Sequence, residues 1–169
     1  METTFFDLGI SKNLIKGLKE LHIKTPSKIQ EEAIPVLLKG KTDFIGLAQT
    51  GTGKTAAFGL PILERIHPKK DHIQALILAP TRELVQQIQK QLFKFTKYND
   101  HKIFAEGVYG GEKMDVQLKR LQRTTHIIVA TPGRLLDFIE RGEIDIKNID
   151  TLVMDEADEM LSMGFQQDL

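Results

Sequence analysis

Cysteine is absent from this 169-residue chain, and so is tryptophan. Without cysteine there are no disulfides and no thiolate metal sites, and a reducing compartment is permitted. Basic and acidic side chains balance at 23 each, so the formal net charge is zero. No global field favours a polyanion, and any nucleic-acid surface must be local. No apolar run approaches the length of a bilayer span. Residues 1–9 lack the basic segment and apolar stretch of a secretory leader. The expectation is a cytoplasmic protein without a membrane partner. Internal repeats, low-complexity tracts and linkers are also missing. The length suits one domain, and with 41% hydrophobic residues there is enough apolar material for a sizeable core.

What is present is alternation. Apolar runs at 44–47, 75–78, about 102–108, 127–130 and 151–154 read as strands, the one at 75–78 as a buried, two-sided parallel strand. Stripes at helical spacing lie before and between them: Leu14, Ile15, Leu18 and Leu21 behind a Ser11 cap; Leu84, Ile88, Leu92 and Phe95; Val116, Leu118 and Leu121. Thr25-Pro26 reads as the start of another helix, which Pro35 should break or restart. Strand and helix in turn predict an α/β fold, a parallel sheet with helices on both faces.

Between the first run and a helix at 56–66 lies Ala48-Gln49-Thr50-Gly51-Thr52-Gly53-Lys54-Thr55. Small residues let the backbone curl so that successive N–H groups face inward, and the helix start adds partial positive charge. Lys54 would reach the β- and γ-phosphates of a nucleotide, and the Thr55 hydroxyl would hold Mg²⁺. Ala48 stands where this pattern usually has its first glycine. Far along the chain, Asp155-Glu156-Ala157-Asp158 follows an apolar strand directly. Asp155 suits a carboxylate anchoring Mg²⁺, partly through water, and Glu156 suits a base that deprotonates water in line with the γ-phosphate. Asp158 is equally an ordinary acid at a helix start.

In open α/β sheets ligands bind beyond the carboxyl ends of the strands. The unusual stretches fall there: Gly53-Lys54-Thr55, Pro80-Thr81-Arg82-Glu83, Gly110-Gly111, Thr131-Pro132-Gly133-Arg134 and the acidic run. They should share one edge. Arg82 and Arg134 could grip phosphates beside helix-start amides, or simply belong to capped helices; the residues alone leave both readings open. Gln30 carries an amide able to read the N6/N7 edge of adenine.

Taken together in this order, these motifs resemble the first RecA-like domain of a DEAD-box ATP-dependent RNA helicase over essentially the whole chain. The resemblance implies a P-loop NTPase core at 41–169 and adenine-recognition helices at 1–40. It implies ATP with Mg²⁺ as cofactors, held by Phe5, Ile23, Gln30, Thr50, Gly51, Thr52, Gly53, Lys54 and Thr55. Lys54, Asp155 and Glu156 would be catalytic, with Thr55 and Asp155 toward the metal. Thr81, Arg82, Gly110, Gly111, Thr131 and Arg134 would line single-stranded RNA phosphates, an interaction indifferent to base sequence. Asp158 would couple the nucleotide site to a Ser-Ala-Thr motif further along. The implied activity is RNA-stimulated ATP hydrolysis coupled to local duplex separation, with an ATP-gated RNA clamp or scaffold as the alternative. Expected partners are single-stranded or short-duplex RNA and a second RecA-like domain, around a monomeric core. A guanine-reading Asn-Lys-x-Asp stretch is absent, which disfavours a GTPase.

His22 and Ile23 stand where the family usually has glycine and an aromatic, and Lys28 replaces a common proline. An aliphatic Ile23 should weaken adenine stacking, by at most roughly 1–3 kcal/mol, without losing selectivity. Residues 1–169 stop before the Ser-Ala-Thr motif and the second domain that supplies an arginine finger, worth about 10³–10⁵ in rate in related systems. The expectation for residues 1–169 alone is therefore almost no hydrolysis. A gap should also open in the sheet between the strands of Lys54 and Asp155, making the piece unstable or prone to aggregate. A sharp, cooperative thermal transition of its monomer would contradict that.

Overall fold

The structure, a computed structural model, describes residues 2–169. It divides into two units, one formed by the chain up to Ile66 with Gln91–Lys102, the other by His67–Lys90 with Ile103–Leu169.

The first unit is helical. It contains α1 (Lys12–Glu20), α2 (Lys28–Lys39) and α3 (Lys54–Arg65), with the last residues of α4 (Arg82–Phe95). Leu14 and Leu18 of α1, Ile34 of α2, Leu60 of α3, and Leu92 and Phe95 are fully buried. The helix at 28–39 starts later than Thr25-Pro26 suggests. Its N-cap is Ser27, because the Ser27-Lys28-Ile29-Gln30 spacing lets the Gln30 amide oxygen accept the Ser27 N–H at 2.9 Å. Pro35 does not break it: α2 runs through to Lys39. Pro35 has no N–H to donate to the Glu31 carbonyl, and Glu31 lies on the exposed side of the helix.

Residues 44–47 form no strand. Ile45 and Leu47 are 90% and 93% exposed, and the segment is paired to no strand among the described residues. An apolar run becomes a parallel strand only when a neighbour accepts and donates its backbone hydrogen bonds, and here none does.

The second unit carries the other expected strands: β1 (Ala75–Leu78), β2 (Ala105–Val108), β3 (Ile127–Ala130) and β4 (Thr151–Met154). They form one parallel sheet in the order β2-β3-β1-β4. The two inner strands, β1 and β3, are buried at every position, as an uninterrupted apolar run requires. The expected strand at 102–108 contracts to its second half.

Helices cover both faces. Leu76, Leu78, Val108, Ile128 and Ala130 face a core shared with Leu135 and Phe138 of α6 (Pro132–Glu140), Leu118 and Leu121 of α5 (Met114–Leu121), and Met160 of α7 (Ala157–Ser162). On the opposite face α4 packs over β2, where a Cβ on Gly107 would meet the Gln89 Oε1 at 2.6 Å and the Val85 Cγ1 at 3.4 Å. A larger residue there would have to displace the Gln89 amide. The buried side of α5 is Met114, Gln117, Leu118 and Leu121, whereas Val116 is 44% exposed. The stripe is thus turned by one residue from the one Val116 suggested. At the other end of the sheet, β4 pairs with β1 alone among the described residues, and Leu152 and Met154 are about half exposed.

At the amino ends of the strands, buried His126 ties three segments together. Its Nδ1 accepts the Phe104 N–H at 3.0 Å, and its Nε2 lies 3.1 Å from the Pro68 carbonyl oxygen. Only the neutral ring with its proton on Nε2 satisfies both. Burial pushes its pKa below the ordinary histidine value of 6.5, against the opposing pull of the Pro68 carbonyl and Asp71 and with the help of His72.

Candidate functional site

In the first unit the loop before α3 is bent by two left-handed residues, Gly51 at φ 81° and Gly53 at φ 84°. Gly53 is the N-cap of α3, so Lys54 is the first helical residue and Thr55 the second. A Cβ at Gly53 would lie 2.3 Å from the Gln30 Nε2. Both space and φ therefore demand glycine there. The first turn of a helix has no intrahelical acceptors for its amides, and in α3 they stand at the end of a 12-residue helix. This donor set fits an anion.

α2 is stitched to the same loop. The Ser27 hydroxyl donates to the Thr52 carbonyl at 2.8 Å, and the Gln30 Nε2 donates to the Gly53 carbonyl at 3.0 Å. The Thr52 hydroxyl in turn donates to the Gln49 carbonyl at 2.6 Å. Gln30 is 3% exposed and uses one donor and one acceptor inside the protein. An amide has two of each, so one N–H and one lone-pair direction remain. Phe5 is 2% exposed, so its ring can only support a neighbour from beneath. Ile23 is half-buried, directly after a left-handed His22 at φ 61°.

In the second unit the parallel ladder brings four of the five motif stretches to one carboxyl edge. β1 runs into Thr81 and Arg82, β2 into Gly110 and Gly111, β3 into Thr131 and Arg134, and β4 into Asp155 and Glu156. Pairing continues one residue beyond the strands. The Thr131 N–H donates to the Val108 carbonyl, the Ala79 N–H to that of Ala130, and the Asp155 N–H to that of Leu78. The Thr81 hydroxyl caps α4 by accepting the Leu84 N–H at 3.2 Å. The Thr131 hydroxyl makes no such bond to α6, whose first residue is Pro132. Asp155 is buried, and Glu156 beside it sits in the left-handed region at φ 52° and ψ 49°. A non-glycine residue there costs roughly 1–2 kcal/mol. Asp158 is exposed, in the first turn of α7.

The arginines are held by residues that sequence reasoning passed over. The Arg82 guanidinium lies 5.0 Å from the centroid of the Tyr109 ring, and the Tyr109 hydroxyl accepts the Gln86 Nε2 at 3.2 Å. Gln117, fully buried, brackets Tyr109: its Oε1 accepts the Tyr109 N–H at 2.9 Å and its Nε2 donates to the Tyr109 carbonyl at 2.7 Å. Arg134 Nη1 donates to the Glu112 backbone carbonyl at 3.0 Å, and the Glu112 carboxylate takes Arg120 bidentately at 2.9 and 2.7 Å. The hydrogen bond from Arg120 pulls the Glu112 pKa below the usual carboxylate range, and the pair raises that of Arg120. Glu106, on β2, is pushed up by burial, partly offset by Arg120 and Arg123. A signal for Gln117 did exist: Met114, Gln117, Leu118 and Leu121 have the i, i+3, i+4, i+7 spacing of a buried stripe, and an amide inside it needs partners.

The fold and this edge define a RecA-like parallel α/β domain. The model of the DEAD/DEAH box helicase family matches residues 27–169, and the chain belongs to that family. It is 50% identical over 165 residues to the DEAD-box ATP-dependent RNA helicase CshA of Streptococcus pneumoniae, covering 98% of this chain and 31% of that protein. With the ATP-dependent RNA helicase DeaD of Escherichia coli it shares 48% identity over 168 residues, covering 99% of this chain and 26% of that protein. Among solved structures it is similar to a DEAD box protein from the hyperthermophile Methanococcus jannaschii, at TM-score 0.92 and 36% identity over 98% of this chain and 44% of that one. A variant of S. cerevisiae Dbp5 bound to RNA and ADP BeF3 is similar at TM-score 0.87 and 36% identity, over 98% of this chain and 41% of that one. The chain thus spans about a third or less of the curated relatives it matches. No helix among the described residues is long and apolar enough to cross a membrane.

Proposed function

We propose that the protein to which this chain belongs is an RNA-stimulated ATPase that separates short RNA duplexes, and that residues 1–169 are its first RecA-like domain. The observation that carries the reading is the arrangement at the carboxyl edge. Asp155 and Glu156 leave β4 on the side where Arg82, Gly110, Gly111, Thr131 and Arg134 leave the other strands. The curated relatives, by their names, are ATP-dependent RNA helicases, and one similar structure holds RNA and ADP BeF3.

In this reading Thr50, Gly51, Thr52 and Gly53 wrap the triphosphate, and Lys54 neutralises its β- and γ-oxygens. The helix-start amides of α3 and the glycine-only bend at Gly53 support that role. Gln30 turns its remaining donor and acceptor to adenine, Ile23 covers the base and Phe5 backs it. Thr55 and Asp155 are the residues that would each offer an oxygen to Mg²⁺, and the ion would supply positive charge against that developing on the phosphates. Glu156 takes a proton from the attacking water. The two arginines and the open glycine backbone hold RNA by its phosphates and not by its bases. Asp158, at the start of α7, passes the nucleotide state to residues beyond this chain. A cysteine-free chain suits a cytoplasmic protein.

Glu156→Gln in the full-length protein should lower RNA-stimulated ATP hydrolysis by about 10²–10⁴-fold while leaving ATP and RNA bound together. Turnover near the wild-type rate in that variant would remove Glu156 from the mechanism.

A further inference from the structure

The residue closest in kind to a competitor for RNA phosphate at the carboxyl edge is Glu112. Its backbone carbonyl holds Arg134 Nη1 at 3.0 Å, and its carboxylate feels the charges of both Arg82 and Arg134. A carboxylate in that position could pair with either arginine and displace a phosphate oxygen, since both anions suit the guanidinium fork. It does neither. Arg120, on α5, takes both carboxylate oxygens in a fork at 2.9 and 2.7 Å.

We propose that Arg120 is a positioning residue that sequesters the Glu112 carboxylate and so keeps Arg82 and Arg134 available to the phosphates of RNA. The inference rests on the reading of this edge as an RNA-phosphate site. Three further observations support it. Arg82 lies over the face of the Tyr109 ring at 5.0 Å, and among the described residues its guanidinium makes no hydrogen bond or ion pair with a carboxylate. The glycine turn between Tyr109 and Glu112 is open: a Cβ on Gly110 would meet nothing within 4 Å, and one on Gly111 only the Arg82 Nη1 at 3.5 Å. The loop is also anchored from behind, because buried Gln117 brackets the Tyr109 backbone through two hydrogen bonds. The carboxylate therefore has a fixed base and a dedicated cation, and the charge of Arg82 and Arg134 is left for an anion from outside.

The test uses the full-length protein, a fluorescein-labelled single-stranded oligoribonucleotide and a non-hydrolysable ATP analogue, with affinity read by anisotropy. Arg120→Gln should weaken RNA binding by about threefold to tenfold, because a released carboxylate then competes with phosphate for the two guanidinium groups. The double variant Arg120→Gln with Glu112→Gln should return to within about twofold of wild type, because the competitor is then neutral. Arg120→Lys, which keeps the cation, should stay near wild type. Both side chains are only partly buried, at 34% and 23% exposure, so the substitutions are compatible with folding. Glu106 lies 3.6 Å from Arg120 Nε and also loses a partner, which is why the rescue decides and not the single variant. Arg82→Ala serves as the reference. If it weakens binding but Arg120→Gln does not, or if the double variant is not rescued, the sequestering role is overturned and the RNA reading of the edge stands. If Arg82→Ala itself leaves binding unchanged, both fall.

Discussion

His22 sits at φ 61° directly after α1, and the hydrogen bonds around it explain why. The His22 N–H donates to the Lys19 carbonyl and the Ile23 N–H to that of Leu18. That pair of bonds is the Schellman ending, whose left-handed position is most often glycine. The family's usual glycine at this position thus has a backbone reason, and histidine there is strained. His22→Gly should raise stability by about 0.5–1 kcal/mol, the left-handed penalty less the extra freedom glycine gives the unfolded chain. The thermal unfolding midpoint should rise by about 1–4 °C in consequence; an unchanged or lowered midpoint contradicts the account. Glu156 carries the same kind of strain at φ 52°. Its place beside buried Asp155 gives a reason to keep it, since strained backbone recurs where a functional side chain must be aimed.

Among the elements, strands whose apolar runs are buried on both sides were legible from the residues alone. Those at 75–78 and 127–130 appear where their Leu, Ile and Val runs put them, and the edge strand at 151–154 does too. The run at 44–47 is just as apolar yet forms nothing, because strand formation depends on a partner that local composition does not contain. Helix starts went astray for a related reason: the side-chain bond from Gln30 back to Ser27 outweighed the proline signal at Pro26. Of the edge, the arginines, glycines and carboxylates could be read as motifs. Their supports Tyr109, Glu112, Gln117 and Arg120 were harder to read, since each acts only through neighbours that the fold brings to it.

His126 shows what such a support does for a set of elements. It joins Phe104, ahead of β2, to the Pro68 loop, and it must be neutral to do so. Its pKa is lowered in the folded state, chiefly by burial, so the unfolded chain takes up the proton first. The stabilisation is complete above about pH 6.5 and is lost as pH falls below that value through the folded pKa. Urea unfolding followed between about pH 7.5 and 5 should show stability dropping toward acid. His126→Phe should be less stable at the upper end and flatter across the range. An equally steep decline in that variant would assign the effect to another group.

At the scale of the whole molecule, β4 has no second neighbouring strand among the described residues, and Leu152 and Met154 are about half exposed there. Full burial of such side chains is worth about 1.5–3 kcal/mol each, and an unpaired apolar edge invites association. This supports the expectation that residues 1–169 in isolation are unstable or aggregate, and the proposal that the working protein carries more chain. The central proposal concerns roles: Lys54 and Thr55 serve the phosphates of the nucleotide, and Asp155 serves its metal. Calorimetric titration of the full-length protein with an ATP analogue, with and without Mg²⁺, tests it most directly. The account predicts that Mg²⁺ strengthens wild-type binding, that Asp155→Asn loses this metal-dependent increment while keeping metal-free affinity, and that Lys54→Ala weakens both. A full metal-dependent increment in Asp155→Asn would contradict it.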